Sequence, residues 1–317
     1  MITVRVARKT TEAIDIASFE LVAADGQSLP PFSAGSHVDV HVPGGAVRQY
    51  SLCNNPAESH RYQLGVLKDP NSRGGSKAMH ETVQEGDTLT ISEPRNHFAL
   101  AHEAKRSLLF AGGIGVTPIL CMAERLAAIG ADFAMHYCGR SRDRMAFIDR
   151  IASAPFADKV ALHMDDGAAE QKLDLAATLA NPQPGVHLYV CGPKGFMDAV
   201  LNTARATGWP EAQLHFEFFA AEVVKSDSDG NFDVKIASTG KVITVGKDQT
   251  VIAALAAAGV DVPISCEQGV CGTCLTRVLE GEPDHRDAYL TDDEKAANDQ
   301  FLPCCSRAKS ACLVLDL

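Results

Sequence analysis

No stretch of these 317 residues approaches the roughly 20 consecutive apolar residues that a membrane-spanning helix needs. The opening MITVRVARKTTEAIDIASFEL alternates like a strand and has no apolar central run, so no secretion signal is expected there. Positive charge is scarce: 29 Lys+Arg stand against 40 Asp+Glu, a formal net charge of −11. That balance argues against nucleic acid or an anionic membrane as the main partner. Internal repeats and low-complexity tracts are also missing. With 46% hydrophobic and 22% charged residues the chain has enough apolar material for real cores. Cysteine, by contrast, is plentiful, at ten residues. The expected location is the cytoplasm, where thiols stay reduced, so clustered cysteines point to metal or redox chemistry rather than to disulfides.

The length suggests two or three domains, and three textures divide the chain. Residues 1–103 alternate in short apolar segments (ITVRVARK, HVDVHVP, QYSLCN, YQLGVLKD, TLTISEP) separated by the turns ADG, PGG and EGD. This spacing predicts an antiparallel barrel or sandwich, with one short helix over 76–83. Residues 104–223 alternate strand-like runs (RSLLFAGG, FAMHYCGR, KVALHMDD, VHLYVCG) with helical ones, the pattern of a parallel α/β sheet whose ligands sit at the strand C-termini. Residues 224–231, VKSDSDGN, read as a linker. Residues 232–317 read as a small mixed α+β domain.

In 266–274, CEQGVCGTC, Cys266, Cys271 and Cys274 follow a C-x4-C-x2-C spacing, and LPCCS brings Cys304 and Cys305 about thirty residues later. This is the plant-type [2Fe–2S] pattern: four thiolates converge on two irons, and Gly269 and Gly272 let the loop wrap closely. Cys304 fits the spacing for the fourth ligand, and Cys305 then stands where a small apolar residue would do. Zinc also takes four cysteines, but usually from paired short knuckles. Cys53, Cys121, Cys138, Cys191 and Cys312 are scattered and read as small core residues.

Glycine marks a second site. In LLFAGGIGVTPI, Gly112, Gly113 and Gly115 lie between a strand and a helix, where a pyrophosphate can approach backbone amides; a tight structural turn is the competing reading. YVCGPKGFM puts Cys191, Gly192 and Pro193 at another strand end on the same edge of the sheet. A third constellation lies in the barrel region. Arg48, Tyr50 and Ser51 of RQYSLCN join a cation, an aromatic and a hydroxyl, a set suited to a flavin. Arg73, Gly74, Gly75 and Ser76 form a second phosphate-type site. Taken singly, Tyr50 also reads as an ordinary strand aromatic and Arg73 as a solvated loop charge.

As a set, RQYSLCN, SRGGS, AGGIGVTP, CGP, HFEFF, CEQGVCGTC, GEPDHRD and SRAKSACLVLDL resemble the phthalate dioxygenase reductase and vanillate O-demethylase reductase family over essentially the whole chain. The resemblance implies an FMN-binding antiparallel barrel, an NAD-binding α/β domain and a C-terminal β-grasp ferredoxin. It implies that Arg48, Tyr50 and Ser51 contact FMN and that Arg73 and Ser76 hold its phosphate. Gly113 to Thr117 would border the nicotinamide nucleotide, with Cys191 to Pro193 opposite and Phe219 near the flavin ring. NADH is the implied donor, although Arg140 and Arg142 in CGRSRDR would suit NADPH, and Asp143 would repel its extra phosphate.

The implied chemistry needs no protein nucleophile or base, and His136, His163 and His215, in strand-like runs, read as structural. A hydride donor delivers electrons in pairs and a [2Fe–2S] cluster takes them singly, so a flavin must stand between. The implied acceptor is a Rieske-type oxygenase. Residues 225–317 carry nine basic and fifteen acidic residues, net −6. That is an acidic surface that either steers a basic partner or is merely solvated. Two other readings are a self-contained reductase of a small acceptor and a non-catalytic metal-binding adaptor.

Overall fold

The computed structural model describes residues 1–70, 72, 74–219 and 229–317. Arg73 and residues 224–228 of the expected linker therefore lie outside the described residues. Two compact units result, Met1–Glu217 and Phe218–Leu317.

The first unit begins with strands β1 (Ile2–Ala13), β2 (Ile16–Ala23), β3 (Ser36–His41), β4 (Val47–Ser51) and β5 (Tyr62–Leu67). Helix α1 (Gly75–Glu81), β6 (Thr88–Ile91) and the short β7 (Arg95–Asn96) follow. The order is β4-β3-β6-β1-β2-β5, antiparallel throughout, and β7 pairs with β3. Leu52, just past β4, bridges to Leu64 of β5 and joins the two ends of the sheet into a barrel. Alternation in sequence becomes burial: Val4, Val6, Phe19, Leu21, Val38, Val40, Leu64 and Ile91 meet inside. The PGG turn between β3 and β4 puts Gly44 and Gly45 at φ 95° and 87°, a conformation side chains rarely adopt.

The chain then alternates: β8 (Arg106–Gly112), α2 (Val116–Ala128), β9 (Asp132–Gly139), α3 (Ile148–Ala152), β10 (Val160–Met164), α4 (Leu175–Leu179), β11 (Val186–Cys191), α5 (Lys194–Ala206) and β12 (Leu214–Glu217). All five strands run parallel in the order β10-β9-β8-β11-β12. The order reverses between β8 and β11. Such a switch point opens a crevice at the strand C-termini. This sheet and the barrel form one unit because they are tightly fitted. A Cβ on Gly65 of β5 would come within 2.7 Å of Thr117 Cγ2 and 3.1 Å of the Phe147 ring. Arg150 donates to Gln63 Oε1 at 2.7 Å.

In the second unit, β13 (Phe232–Ile236), β14 (Val242–Val245), α6 (Val251–Ala257), β15 (Thr276–Glu280), β16 (Pro283–Asp284), α7 (Asp292–Ala297), β17 (Gln300–Phe301), β18 (Arg307–Ala308) and β19 (Cys312–Leu315) follow in turn. A mixed sheet, β14-β13-β19-β15-β17, has β13 and β19 parallel at its centre, and β16 pairs with β18 apart from it. Val251, Ala254 and Leu255 of α6 pack on this sheet with Val234, Ile236, Phe301, Leu313 and Leu315, the β-grasp arrangement. Thr250 caps α6 by accepting from the Ala253 amide.

GEPDHRD ties the unit together. Arg286 binds both carboxylate oxygens of Asp229, at 2.9 and 2.5 Å, and the Asp284 carboxylate at 2.8 Å. Its side chain is only 11% exposed. Removing the cation would strand the carboxylates. Arg286→Met is therefore expected to destabilise this unit by about 3–5 kcal/mol. The measurement is the temperature at which the iron–sulfur absorption bleaches; an unchanged value would refute the assignment.

Candidate functional site: three constellations

The cysteine loop lies beside segment 284–295. Ala288 donates to the Gly269 carbonyl at 3.0 Å. The buried Asp287 carboxylate accepts from the amides of Tyr289 and Leu290 at 3.2 and 2.8 Å. Lys295 donates to the Asp287 carbonyl at 2.9 Å. Both loop glycines are needed, since each stands at φ +70°. A Cβ on Gly269 would meet Cys305 Sγ at 2.5 Å, and one on Gly272 would overlap the Tyr289 ring.

The structure brings the thiols of Cys266 and Cys271 against each other, and that of Cys304 against both Cys274 and its neighbour Cys305. The proximity of the two thiols lowers Cys271 and, together with burial, raises Cys266. The Gln268 amide donates to Cys266 Sγ at 3.3 Å, and the Thr273 amide to Cys271 Sγ at 3.5 Å. Among the described residues no three His, Cys, Asp or Glu converge as they would around a single ion. Two thiol pairs suit a binuclear cluster with two ligands per iron better than one tetrahedral zinc. Cys305 instead turns toward Gly269 and makes sulfur contacts to the Leu302 carbonyl and the Ser306 hydroxyl, each 3.7 Å. Of the remaining cysteines, Cys53, Cys121 and Cys191 are buried, while Cys138 and Cys312 are half-buried.

In the first unit the switch point lies between Gly112, the last residue of β8, and Gly192, just past β11. A Cβ on Gly192 would stand 2.9 Å from Gly112 Cα, and one on Gly112 would stand 2.7 Å from the Phe196 ring and 3.0 Å from Pro193 Cδ. Pro193 caps α5 with φ −60°. Gly113 takes φ +52°, and Gly115 sits so close to β11 that a Cβ would overlap the Cys191 carbonyl. Thr117 is buried, and its hydroxyl is spent on the Ile114 carbonyl at 3.0 Å. Arg140 and Arg142 stand exposed just beyond β9.

The barrel face of the same unit carries the third set. Arg48 and Tyr50 stand opposite Val40 and Val38, on one face of β4. Burial raises the Tyr50 phenol, and the Arg48 cation opposes the rise. A Cβ on Gly75 would meet Arg48 Cγ at 2.6 Å, so RQYSLCN and the glycine pair at 74–75 join in space. Gly74, at φ +97°, needs the freedom of glycine. The Ser76 hydroxyl accepts from the Asp69 amide at 3.1 Å. A cation lying over a side-chain-free backbone, with hydroxyls and an aromatic nearby, fits a phosphorylated flavin. Phe219 is half-buried two residues past Glu217, at the head of the second unit.

Sequence reasoning did not single out Glu217, although HFEFF contains it. It lies at the end of β12, paired in register with Cys191. Ser51 donates to its carboxylate at 3.4 Å. Ser51, Cys191 and Glu217 thus gather where barrel and α/β sheet meet. Burial raises the Glu217 carboxyl to about 7 against 4.5 when free, only partly offset by the Ser51 hydrogen bond. Between these values the folded chain holds a proton that the unfolded chain has released, so stability falls as pH rises from about 4.5 to 7. Glu217→Gln is expected to remove that slope. Its advantage over the parent should grow by on the order of 3 kcal/mol across the window, read as a Tm difference against pH. A constant difference would refute it. His136, His163 and His215 sit in ring-to-ring pairs: His136 with His163 at 3.0 Å, and His215 with His187 at 2.8 Å.

A parallel-sheet nucleotide crevice, a flavin-type cation and hydroxyl set, and paired thiols in a β-grasp unit define the class: a flavin- and iron–sulfur-dependent reductase. Comparison with known proteins narrows it. Residues 234–309 match the 2Fe-2S iron-sulfur cluster binding domain. Residues 91–214 match the N-terminal domain of the dimethylamine monooxygenase subunit DmmA-like family. The chain is 60% identical to vanillate O-demethylase oxidoreductase of Pseudomonas sp. (strain HR199 / DSM 7063) over 100% of both chains. It is 42% identical to phthalate dioxygenase reductase of Burkholderia cepacia, covering 99% of this chain and 96% of that one. The solved structure of phthalate dioxygenase reductase, described as a modular structure for electron transfer from pyridine nucleotides to [2Fe-2S], superimposes with TM-score 0.82 at 41% identity, covering 100% and 98%. The chain belongs to the phthalate dioxygenase reductase and vanillate O-demethylase reductase family, oxidoreductases that use FMN, a pyridine nucleotide and a [2Fe–2S] cluster to supply electrons to an oxygenase.

Proposed function

We propose that this chain is the cytoplasmic NADH-dependent reductase of a vanillate O-demethylase and delivers electrons singly to a Rieske-type oxygenase component. The observation that carries the reading is the 60% identity over the full length of a vanillate O-demethylase oxidoreductase. The two thiol pairs and the switch-point glycines support it. In this reading residues 1–103 form the flavin domain, 104–223 the nucleotide domain and 232–317 the ferredoxin, joined by 224–231.

When bound, FMN would supply the step from one two-electron hydride to single electrons, and the cluster would supply one-electron transfer. The chain's residues supply binding and placement. Arg48, with Arg73, Gly74, Gly75 and Ser76, holds the flavin phosphate, while Tyr50 and Ser51 border the ring. Gly112, Gly113, Gly115 and Thr117 shape one wall of the nicotinamide crevice, and Cys191, Gly192 and Pro193 the other. The missing side chains of Gly112, Gly113, Gly115 and Gly192 let backbone amides reach the pyrophosphate. Cys266, Cys271, Cys274 and Cys304 ligate the cluster, and the amides of Gln268 and Thr273 donate to ligand sulfurs and so tune its potential.

The test uses the loaded chain with purified vanillate and phthalate oxygenase components. NADH-driven release of formaldehyde from vanillate should exceed turnover of the phthalate system at equal protein. Equal rates with both would remove the vanillate assignment. Rapid NADH consumption with a ferric chelate and none with either oxygenase would favour the self-contained reductase. A colourless protein that does not oxidise NADH would favour the adaptor.

A further inference from the structure

We propose that His37 and His97 form the exit for the proton that each NADH leaves behind. The proposal rests on the function above and adds a requirement of stoichiometry. NADH gives NAD⁺, one proton and two electrons. The electrons leave singly to two one-electron acceptors, so one proton per NADH has to leave the flavin by another route.

The barrel places an unexplained imidazole at that point. His37 lies on β3 directly opposite Ser51 of β4. Residues so paired point to the same face of a sheet, with Cβ atoms roughly 5 Å apart. His37 is 4% exposed, and neither ring nitrogen has a hydrogen-bond partner among the described residues. Buried polar atoms without partners are costly, which calls for a reason. The His37 ring lies against that of His97, tilted by 32° with centroids 5.4 Å apart, and His97 is exposed. Ser51, which the functional reading sets at the flavin, His37 and the exposed His97 thus follow one another by cross-strand pairing and ring contact, and a proton would pass between them through intervening water.

Imidazole is suited to this task, since it accepts a proton on one nitrogen and releases one from the other. The surrounding charges keep it from holding the proton. Burial first, then His97 and Arg95, lower its pKa to about 4, and Asp39, which is ion-paired to Arg95, opposes them weakly. A neutral relay that passes the proton on results. Neither the sequence pattern nor the cofactor chemistry had assigned a role to either histidine.

The experiment compares the FMN- and cluster-loaded chain with His37→Ala and His97→Gln. Anaerobic bleaching by NADH reads hydride transfer. A pH-indicator dye reads proton release after mixing the reduced protein with ferricyanide, and imidazole ¹⁵N shifts of His37 are compared with and without FMN. Bleaching of His37→Ala should stay within about twofold of the parent, while proton release slows by about tenfold or more and free imidazole restores it. His97→Gln, a surface change, should slow release less with flavin binding intact. The His37 nitrogens should shift when FMN is loaded. Proton release at the parent rate in both variants, a loss that imidazole does not repair, or ¹⁵N shifts indifferent to FMN would each overturn the proposal. Failure of NADH to bleach the parent chain would instead overturn the functional reading.

Discussion

Cys304→Ser is expected to abolish the iron–sulfur absorption of the purified chain, and Cys305→Ser to leave it intact. The two residues are adjacent in sequence, so the contrast is a strict test of geometry. Cys304 pairs with Cys274, whereas Cys305 turns to Gly269 and the Leu302 carbonyl. Altering a mere supporting partner of a metal ligand costs roughly 10–100-fold in affinity, and losing the ligand itself should cost more. Electron delivery to the oxygenase should fall by about 100-fold or more. Flavin bleaching by NADH, which needs only the first unit, should persist. Metal content and the visible spectrum of each variant give the answer. Loss of the cluster in Cys305→Ser with retention in Cys304→Ser would reverse the ligand assignment.

The second large effect is expected from Gly115→Ala. The φ of −60° at this position suits any residue, so the obstacle is space alone. The added methyl would overlap the Cys191 carbonyl and lie 2.6 Å from the Gly192 amide nitrogen. These are backbone atoms of the facing strand end and cannot swing aside. The start of α2 has to move off β11, which costs about 1–3 kcal/mol of overpacking and distorts the nucleotide crevice. KM for NADH should rise about tenfold, a loss of roughly 1.4 kcal/mol in binding. Gly113→Ala provides the contrast. Gly113 has φ +52° and open space around it, so alanine there should cost only about 1–2 kcal/mol of backbone strain. Steady-state kinetics and thermal melts separate the two. Equal effects at both positions would rule out crowding at Gly115.

Much of the architecture was legible because its signals are local. Period-two alternation marked the barrel strands, and apolar runs alternating with helical ones marked the parallel sheet. Other elements were missed although their signals were present. TDDE at 291–294 is a capping box, with Thr291 and Glu294 exchanging hydrogen bonds at the start of α7. The helix Ile148–Ala152 is too short for helical periodicity to show.

The sequence by itself determined the cofactor chemistry. Ligand spacing, glycine turns and the cation–aromatic–hydroxyl segment all lie within short stretches, where covalent connection sets the distances. Only the tertiary structure decided which side chains meet across long separations. It paired Cys274 with Cys304 rather than with Cys305, laid Arg48 over Gly75, and brought Glu217 to Ser51, 166 residues away. It also buried His37 with no partner for either nitrogen among the described residues. These outcomes depend on strand order and on burial, which raises a carboxyl and empties an imidazole of its proton. No local pattern encodes them, because desolvation is a property of everything packed around a group.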